Sequence, residues 1–401
     1  MDYIKKTTGS FLAICVLLCL SHISLLAAYA VVGSTWSYSN GNTDFLVYKL
    51  AADGSVLWQK NFGGTGFEFG NSIRATSDNG MIIAGRTQTA AYTHGSYDGL
   101  VYKLDAAGKK LWRKVYGGQK YDMIATAIPT ADGGYLLCGD GDSYTNGGYD
   151  FLVYKVDAAG GKQWRKNYGG WSQERMQGIF EPMGTTADRT LDGGYVFGGN
   201  TESYTHGGWD FLIYKVDASG AKLWRRNLGG SDEDYCNAVQ RTADGGYIVV
   251  GDTRSYIHGS AGKEDMLVYK LDSAGVKLWR KNYGGDDQER AFSVCRTSDG
   301  GYVIAGYSRS FGPNYDFLLY KVDAAGQKQW RKIFGGDGYE RGPHVIQTSD
   351  GGYIICGLTD SYTHGADDFL VYKLDAAGQK QWRKNYGGIL SDWALCICEV
   401  N

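Results

Sequence analysis

Seven acids stand at one repeated spacing, four residues after a Gly-Gly pair: Glu68, Asp122, Glu174, Asp234, Glu289, Glu340 and Asp392. A ring of carboxylates can bind a cation or a basic ligand, and two carboxyls with no structural partner can hydrolyse a glycosidic bond. Sevenfold copying favours a simpler use, in which each acid caps loop amides or pairs with a neighbouring lysine. A second motif is Tyr-Thr-His-Gly, at Tyr92–Gly95, Tyr204–Gly207 and Tyr362–Gly365, with Tyr256-Ile257-His258-Gly259 as a variant. Asn40 and Asn146 replace the histidine in two further copies, so no metal site is expected there. The motif reads as a turn with a tyrosine packed beneath it, or as a shallow sugar pocket.

Departures from the repeat point more directly to a ligand. Trp171 and Trp209 lie outside every repeated tryptophan position. With Glu174, Arg175, Tyr204 and His206 they make two aromatic plates beside an acid, a guanidinium and an imidazole. That set suits a carbohydrate or another polar ligand, and these six residues form the candidate ligand site. No catalytic residue is assigned. Asp140-Gly141-Asp142 and Asp286-Asp287 do not continue as calcium loops, and no Gly-x-Ser-x-Gly or His-Glu-x-x-His is present. Cys138, Cys236, Cys295, Cys356, Cys396 and Cys398 sit in apolar runs and read as buried small hydrophobes rather than a disulfide framework.

The elements that must position these groups repeat seven times. The run Asp-Phe-Leu-Val-Tyr-Lys-Leu at Asp44 has close variants at Asp98, Asp150, Asp210, Asp265, Asp316 and Asp368, each followed by a turn and a tryptophan. The tryptophans Trp58, Trp112, Trp164, Trp224, Trp279, Trp330 and Trp382 are 51–60 residues apart, a period that signals stacked repeats. Each unit reads as four short strands, for example 289–296, 301–307, 316–322 and 328–334, rich in Val, Ile, Phe and Tyr and bounded by Gly or Asp turns. A unit that cannot bury both faces alone must stack on copies of itself. Residues 29–35 match the second strand of a unit and 392–400 match the first. The fold class is therefore all-β, a seven-bladed β-propeller of four-stranded antiparallel blades over residues 29–401, closed by pairing of the N- and C-terminal strands in one composite blade. An insertion around 178–189 in the fourth unit is expected in the loop between its first two strands.

The Asp-x-x-Gly-x-x-x-Trp element resembles the tryptophan-docking repeat of quinoprotein propellers, with one residue fewer between Asp and Gly. It is also similar to the Asp-box turn of sialidase-like propellers. As a whole the chain resembles exported bacterial and archaeal repeat propellers built from Asp-Gly-Gly-Tyr-Ile-Ile-Ala-Gly units. The resemblance implies the fold and leaves the activity open. Quinoproteins of the dehydrogenase kind have eight blades and adjacent cysteines, whereas Ile397 separates Cys396 from Cys398, so no cofactor is expected.

Lys5 and Lys6 precede an apolar run from Phe11 to Leu20, followed by small residues at Ala27–Ala30. This is the layout of a secretory signal over residues 1–30, with an uncleaved anchor as the alternative. The protein is thus expected to be secreted, periplasmic or at the cell surface, with no span left after cleavage. A formal net charge of −2 gives no reason to expect nucleic acid. The basic pairs after each tryptophan read as edge protection of an outer strand or as a girdle for anionic polymers. The leading functional reading is a binding module for a glycan, lectin-like in its multivalent form, or for a protein partner; the alternatives are a polysaccharide hydrolase or lyase and a structural surface protein.

Overall fold

A computed structural model describes residues 27–400 apart from 146, 177–185 and 259–262. The expected signal segment up to residue 26 and the Asn146 copy of the histidine turn lie outside the described residues. Seven separate sheets carry the chain. In blade 2 strand A is Glu68–Ala75, B is Met81–Thr87, C is Asp98–Leu104 and D is Lys110–Tyr116. Strands A pack on one another all the way round, so they form the inner wall and strands D the rim. Every residue of Asp98–Leu104 is buried, while Lys110–Tyr116 is largely exposed. A continuous apolar run thus goes to the strand covered on both faces, and the basic strand goes to the edge.

Ring closure uses both ends of the chain. Ala28–Thr35 pairs with Asp392–Val400 from Ala28 with Val400 to Thr35 with Asp392. Ala28, Tyr29 and Ala30 are buried within that ladder, so a signal cut after Ala30 would strip three paired residues. Blade 1 is completed by Asp44–Leu50 and Val56–Phe62.

Neighbouring blades are joined by the repeated tryptophan. Trp112 donates its indole N–H to the Ala158 carbonyl in the C–D turn of the next blade, at 3.1 Å, and Tyr116 donates to the Gly160 carbonyl at 2.8 Å. Across the closure Trp382 donates to Ala52 at 3.0 Å and Tyr386 to Gly54 at 2.6 Å. Gly54 has φ +77° and sits against the Trp382 ring, so glycine is required there for conformation and for space. The A–B turns are tied by aspartate. Asp132 accepts from the Thr130 hydroxyl and the Gly134 amide, and the buried Lys155 of strand C reaches it at 2.7 Å. In blade 6 this turn retains Gly301, whose carbonyl accepts from the Thr297 amide. Strand B therefore begins at Tyr302, one residue later than expected, and ends at Ser308.

One expectation is corrected. Glu174–Arg175 and Ala187–Arg189 both pair with Tyr195–Thr201, so the insertion of blade 4 interrupts strand A itself and does not lie in the A–B loop. Residues 177–185 of it lie outside the described residues. In other blades strand A carries a bulge at this register, as between Gly70 and Ser72 or Cys236 and Ala238. A bulge already breaks the ladder, so extra residues leave there without further loss of pairing. No helix among the described residues is long and apolar enough to cross a membrane.

Candidate functional site

Strands A and C run away from the end of the ring where the D–A and B–C loops open. Six of the ring acids occupy the first position of a strand A, the seventh, Asp122, bridges Gly141 just ahead of Thr126–Pro129, and all seven are buried. Each accepts from the amide of the second glycine of its pair: Gly64 to Glu68 at 2.7 Å, Gly170 to Glu174 at 2.8 Å and Gly388 to Asp392 at 2.8 Å. In most of them the remaining oxygen takes a hydroxyl from the end of strand B, as Thr87 to Glu68 at 2.6 Å and Thr359 to Glu340 at 2.6 Å. Asp234 and Glu289 are held likewise by Thr253 and Ser308, whereas Ser143 donates to the same Asp122 oxygen as Gly118, and Oδ1 of Asp122 and of Asp392 has no donor.

Each ring acid also faces a second carboxyl, the first residue of strand C in the preceding blade. A Cβ on Gly63 would collide with both Asp44 and Glu68, and one on Gly169 with both Asp150 and Glu174. This explains why the first glycine of the pair carries no side chain. Oδ1 of Asp44, Asp98, Asp150, Asp210, Asp316 and Asp368 has no hydrogen-bond donor. Burial, reinforced by the facing acid, pushes Asp150 and Asp316 up to about 6. Burial likewise raises Asp44, Asp122 and Asp234. These carboxyls act as caps in the blade seams and are closed to solvent.

The second motif is also built into the seams. Tyr204 donates to the Gly169 carbonyl at 2.8 Å, and the Arg225 guanidinium lies 3.5 Å over its ring. Tyr92, Tyr144, Tyr256 and Tyr362 repeat the arrangement under Arg113, Arg165, Arg280 and Arg383. Phe311 takes the same place under Arg331. His206 Nδ1 lies 3.0 Å from Asp210, as His94 does from Asp98. Tyr204→Ala is therefore expected to cost about 2–3 kcal/mol of stability, read from the urea midpoint. Trp171→Ala should change stability by less than about 0.5 kcal/mol, because Trp171 is 86% exposed.

The six candidate ligand residues thus separate. Glu174 and Tyr204 are seam residues and His206 is tied to the seam acid Asp210. Trp171 projects from the D–A loop, its backbone carbonyl lying beside Gly147 of blade 3. Trp209 stacks on Tyr235 of blade 5, with ring centroids 6.3 Å apart. Arg175 lies 3.3 Å over Tyr149 and 3.4 Å from Asp140. Trp209 and Arg175 belong to a larger feature that the sequence reading missed.

That feature is a belt around the axis at the end where these loops open. Trp393 meets Trp36 at 4.9 Å, Trp36 meets Phe69 at 6.1 Å, and Arg86 lies 4.6 Å over Phe69 and 5.7 Å from Tyr97. Tyr97, Tyr121 and Tyr149 follow at 5.6 Å steps to Arg175. Past Trp209 and Tyr235 the belt turns polar. Arg254 and Arg290 each reach the buried Glu264 at 2.8 Å, holding its carboxyl below the usual range against its burial. It turns aromatic again at Tyr315 and Tyr339, 5.8 Å apart, with Arg341 over both. The signal for this belt lay in the columns where the repeats differ. The residue before strand C is Thr43, Tyr97, Tyr149, Trp209, Glu264, Tyr315 or Asp367.

Comparison with known proteins gives a consistent picture. A segment of the regulatory protein FlaEY of Caulobacter vibrioides is 26% identical over 171 residues, covering 37% of this chain and 18% of that protein. The chain therefore spans less than a fifth of that relative. A mutant of the Synechocystis apocarotenoid oxygenase superposes with a TM-score of 0.55 at 10% identity, covering 94% of this chain and 92% of the oxygenase. An ACO/RPE65 chimera gives the same values. At that identity the likeness concerns the fold alone. Residues 29–56 match a β-propeller domain of unknown function (DUF5122). Residues 43–333 match the model described as outer membrane protein assembly factor BamB, and with its seven tryptophan-docked blades the chain belongs to that PQQ-like propeller family.

Proposed function

We propose that this protein is an exported, non-enzymatic binding module that holds a protein partner at the aromatic and arginine belt. The observation that carries this reading is the asymmetry of the belt. The rest of the ring repeats blade by blade, whereas this one zone carries Trp, Tyr and Arg on one arc and an ion network on the other. Those three residue types dominate the energetics of protein interfaces, and stacked rings and guanidinium groups lose little freedom on binding. The seam carboxyls are buried in the blade seams and closed to solvent, which favours binding over hydrolysis. The family description, an assembly factor of the outer membrane, is consistent with a scaffold that engages other proteins.

A photo-crosslinking amino acid at Tyr339, which is 38% exposed, should capture a discrete protein in cells of the native host. The same probe at Leu278, 56% exposed on a strand D, should not. Arg341→Glu combined with Tyr339→Ala should weaken binding of the captured partner at least about tenfold. Equal capture at both positions, or unchanged affinity in the double variant, would defeat the proposal. A glycan ligand is the second reading, favoured by the exposed plate of Trp171. Retention on a glycan array that is lost on Trp171→Ala would select it.

A further inference from the structure

We propose that the outer rim binds a linear anionic polysaccharide, through an arc of lysines and arginines on six of the seven strands D. This surface is independent of the belt at the axis. Strands D carry nineteen of the 41 basic residues, three in each of six blades and Lys60 alone in blade 1, and not one acid. Such segregation stands out in a chain of formal net charge −2. Many cations elsewhere are matched. The strand C lysines of six blades pair with turn aspartates at 2.7–2.8 Å, and Arg175, Arg254 and Arg290 pair in the belt. No strand D cation makes an ion pair among the described residues.

The side chains are also held in place. The middle arginine of each triplet lies flat, 3.5–3.8 Å over the loop tyrosine or phenylalanine. The last cation rests its stem against the C–D turn of the next blade, as Lys166 does at Gly220 and Lys384 at Gly54. Asp217 and Asp53 in those turns feel Lys166 and Lys384 but are spent on their own turn amides. The first lysine of each triplet is exposed, with Lys328 lying 5.8 Å from the Tyr320 ring. With about 3.3 Å per residue, the first and last cations of one strand are roughly 13 Å apart. The rim thus presents rungs of positive charge repeated from blade to blade, a match for a polymer with carboxylate or sulfate groups along its length. It offers no open aromatic plane for a base to stack on, since the loop rings lie beneath arginines and the tryptophans are half-buried against the next blade. That favours a polysaccharide over a single-stranded nucleic acid. The arc stops at blade 1, where Val56 and Gln59 stand in place of the first lysine and the arginine and are exposed.

Edge protection accounts for charge of either sign, so reversing the sign separates it from binding. The full chain should be retained on immobilised heparin and on polygalacturonate at about 50 mM salt, released by rising salt, and not retained on neutral dextran. Lys110→Glu with Lys222→Glu and Lys277→Glu should stay monomeric and folded yet bind heparin at least about tenfold more weakly. Should that variant melt early, Lys162→Gln with Lys328→Gln and Lys380→Gln serves the same purpose. Arg341→Glu with Tyr339→Ala should leave retention unchanged, which separates failure here from failure of the belt. No retention of the wild type, undiminished retention of both lysine variants, or equal affinity for a single-stranded oligonucleotide would each overturn the inference.

Discussion

Removing residues 391–401 is expected to abolish folding of the whole ring, not merely to shorten one edge. Asp392–Val400 is the only strand A that blade 1 has, and it pairs with Ala28–Thr35 along the full length of that strand. Ala394, Leu395, Cys396, Ile397, Cys398 and Val400 are all buried. Exposing the lining they contact costs roughly 6–10 kcal/mol, at about 1.5–3 kcal/mol for each larger side chain. That is comparable with the total stability of an ordinary domain, about 5–15 kcal/mol. The loss is not local, because strand A of blade 1 packs on the inner strands of blades 2 and 7. Asn71 shows the same cross-blade dependence, donating to the Ile124 carbonyl of blade 3 at 3.0 Å. An opened ring would also expose Ala28–Thr35 as a long apolar edge prone to aggregation. The truncated chain should be insoluble or lack a cooperative melt. A permuted chain that places 391–400 before Ala28 through a short linker should recover the melting temperature. An unchanged melting temperature in the truncation would refute the closure.

The architecture was legible because each level of the sequence says the same thing. The Asp44-type run predicts a doubly covered strand, the Lys-Leu-Trp-Arg run an edge, and the mismatch of the two ends a composite blade. The acids were legible as caps through their sevenfold recurrence, although the second carboxyl facing each one was not. Asp44 and Glu68 are distant in the unit pattern and meet only when two blades pack. The insertion of blade 4 was misplaced because a bulge inside strand A leaves no Gly or Asp turn signature. The candidate ligand cluster joined residues from two loop classes on the strength of their types. In the fold Tyr204 and Glu174 face the seam, Trp171 faces solvent, and Trp209 turns to the neighbouring blade. The belt lay in the columns of difference between repeats, which periodicity arguments pass over because they are built to find sameness.

Stability should fall as pH rises from about 4 to 6, the reverse of the usual acid denaturation. Asp150 and Asp316, raised to about 6 by burial and by the facing Glu174 and Glu340, are protonated in the fold across that window. Asp140 behaves alike, raised to about 6 by burial although Arg175 opposes it. In the unfolded chain these groups ionise near 4. The folded state therefore binds more protons than the unfolded state between about 4 and 6, and stability declines with each pH unit. A displacement of about two units amounts to roughly 3 kcal/mol at each site. The turn aspartates act in the opposite sense at lower pH. Lys155 and Thr130 hold Asp132 at about 2, and Lys103, Lys270 and Lys321 with their threonines bring Asp78, Asp244 and Asp299 to about 2 against partial burial. Their contribution is complete above about 4 and is lost as pH falls towards 2. The Cys396 thiol, depressed to about 6 by His344 and Arg74 against its burial, begins to add stability only above the window. The urea midpoint should thus peak near pH 4 and decline to pH 6. Asp150→Asn with Asp316→Asn, which cannot ionise, should flatten that decline and stabilise the protein at pH 7. A midpoint that stays level or climbs from pH 4 to 6 would mean that the seam carboxyls are ionised in the fold, and that something other than a shared proton relieves their repulsion.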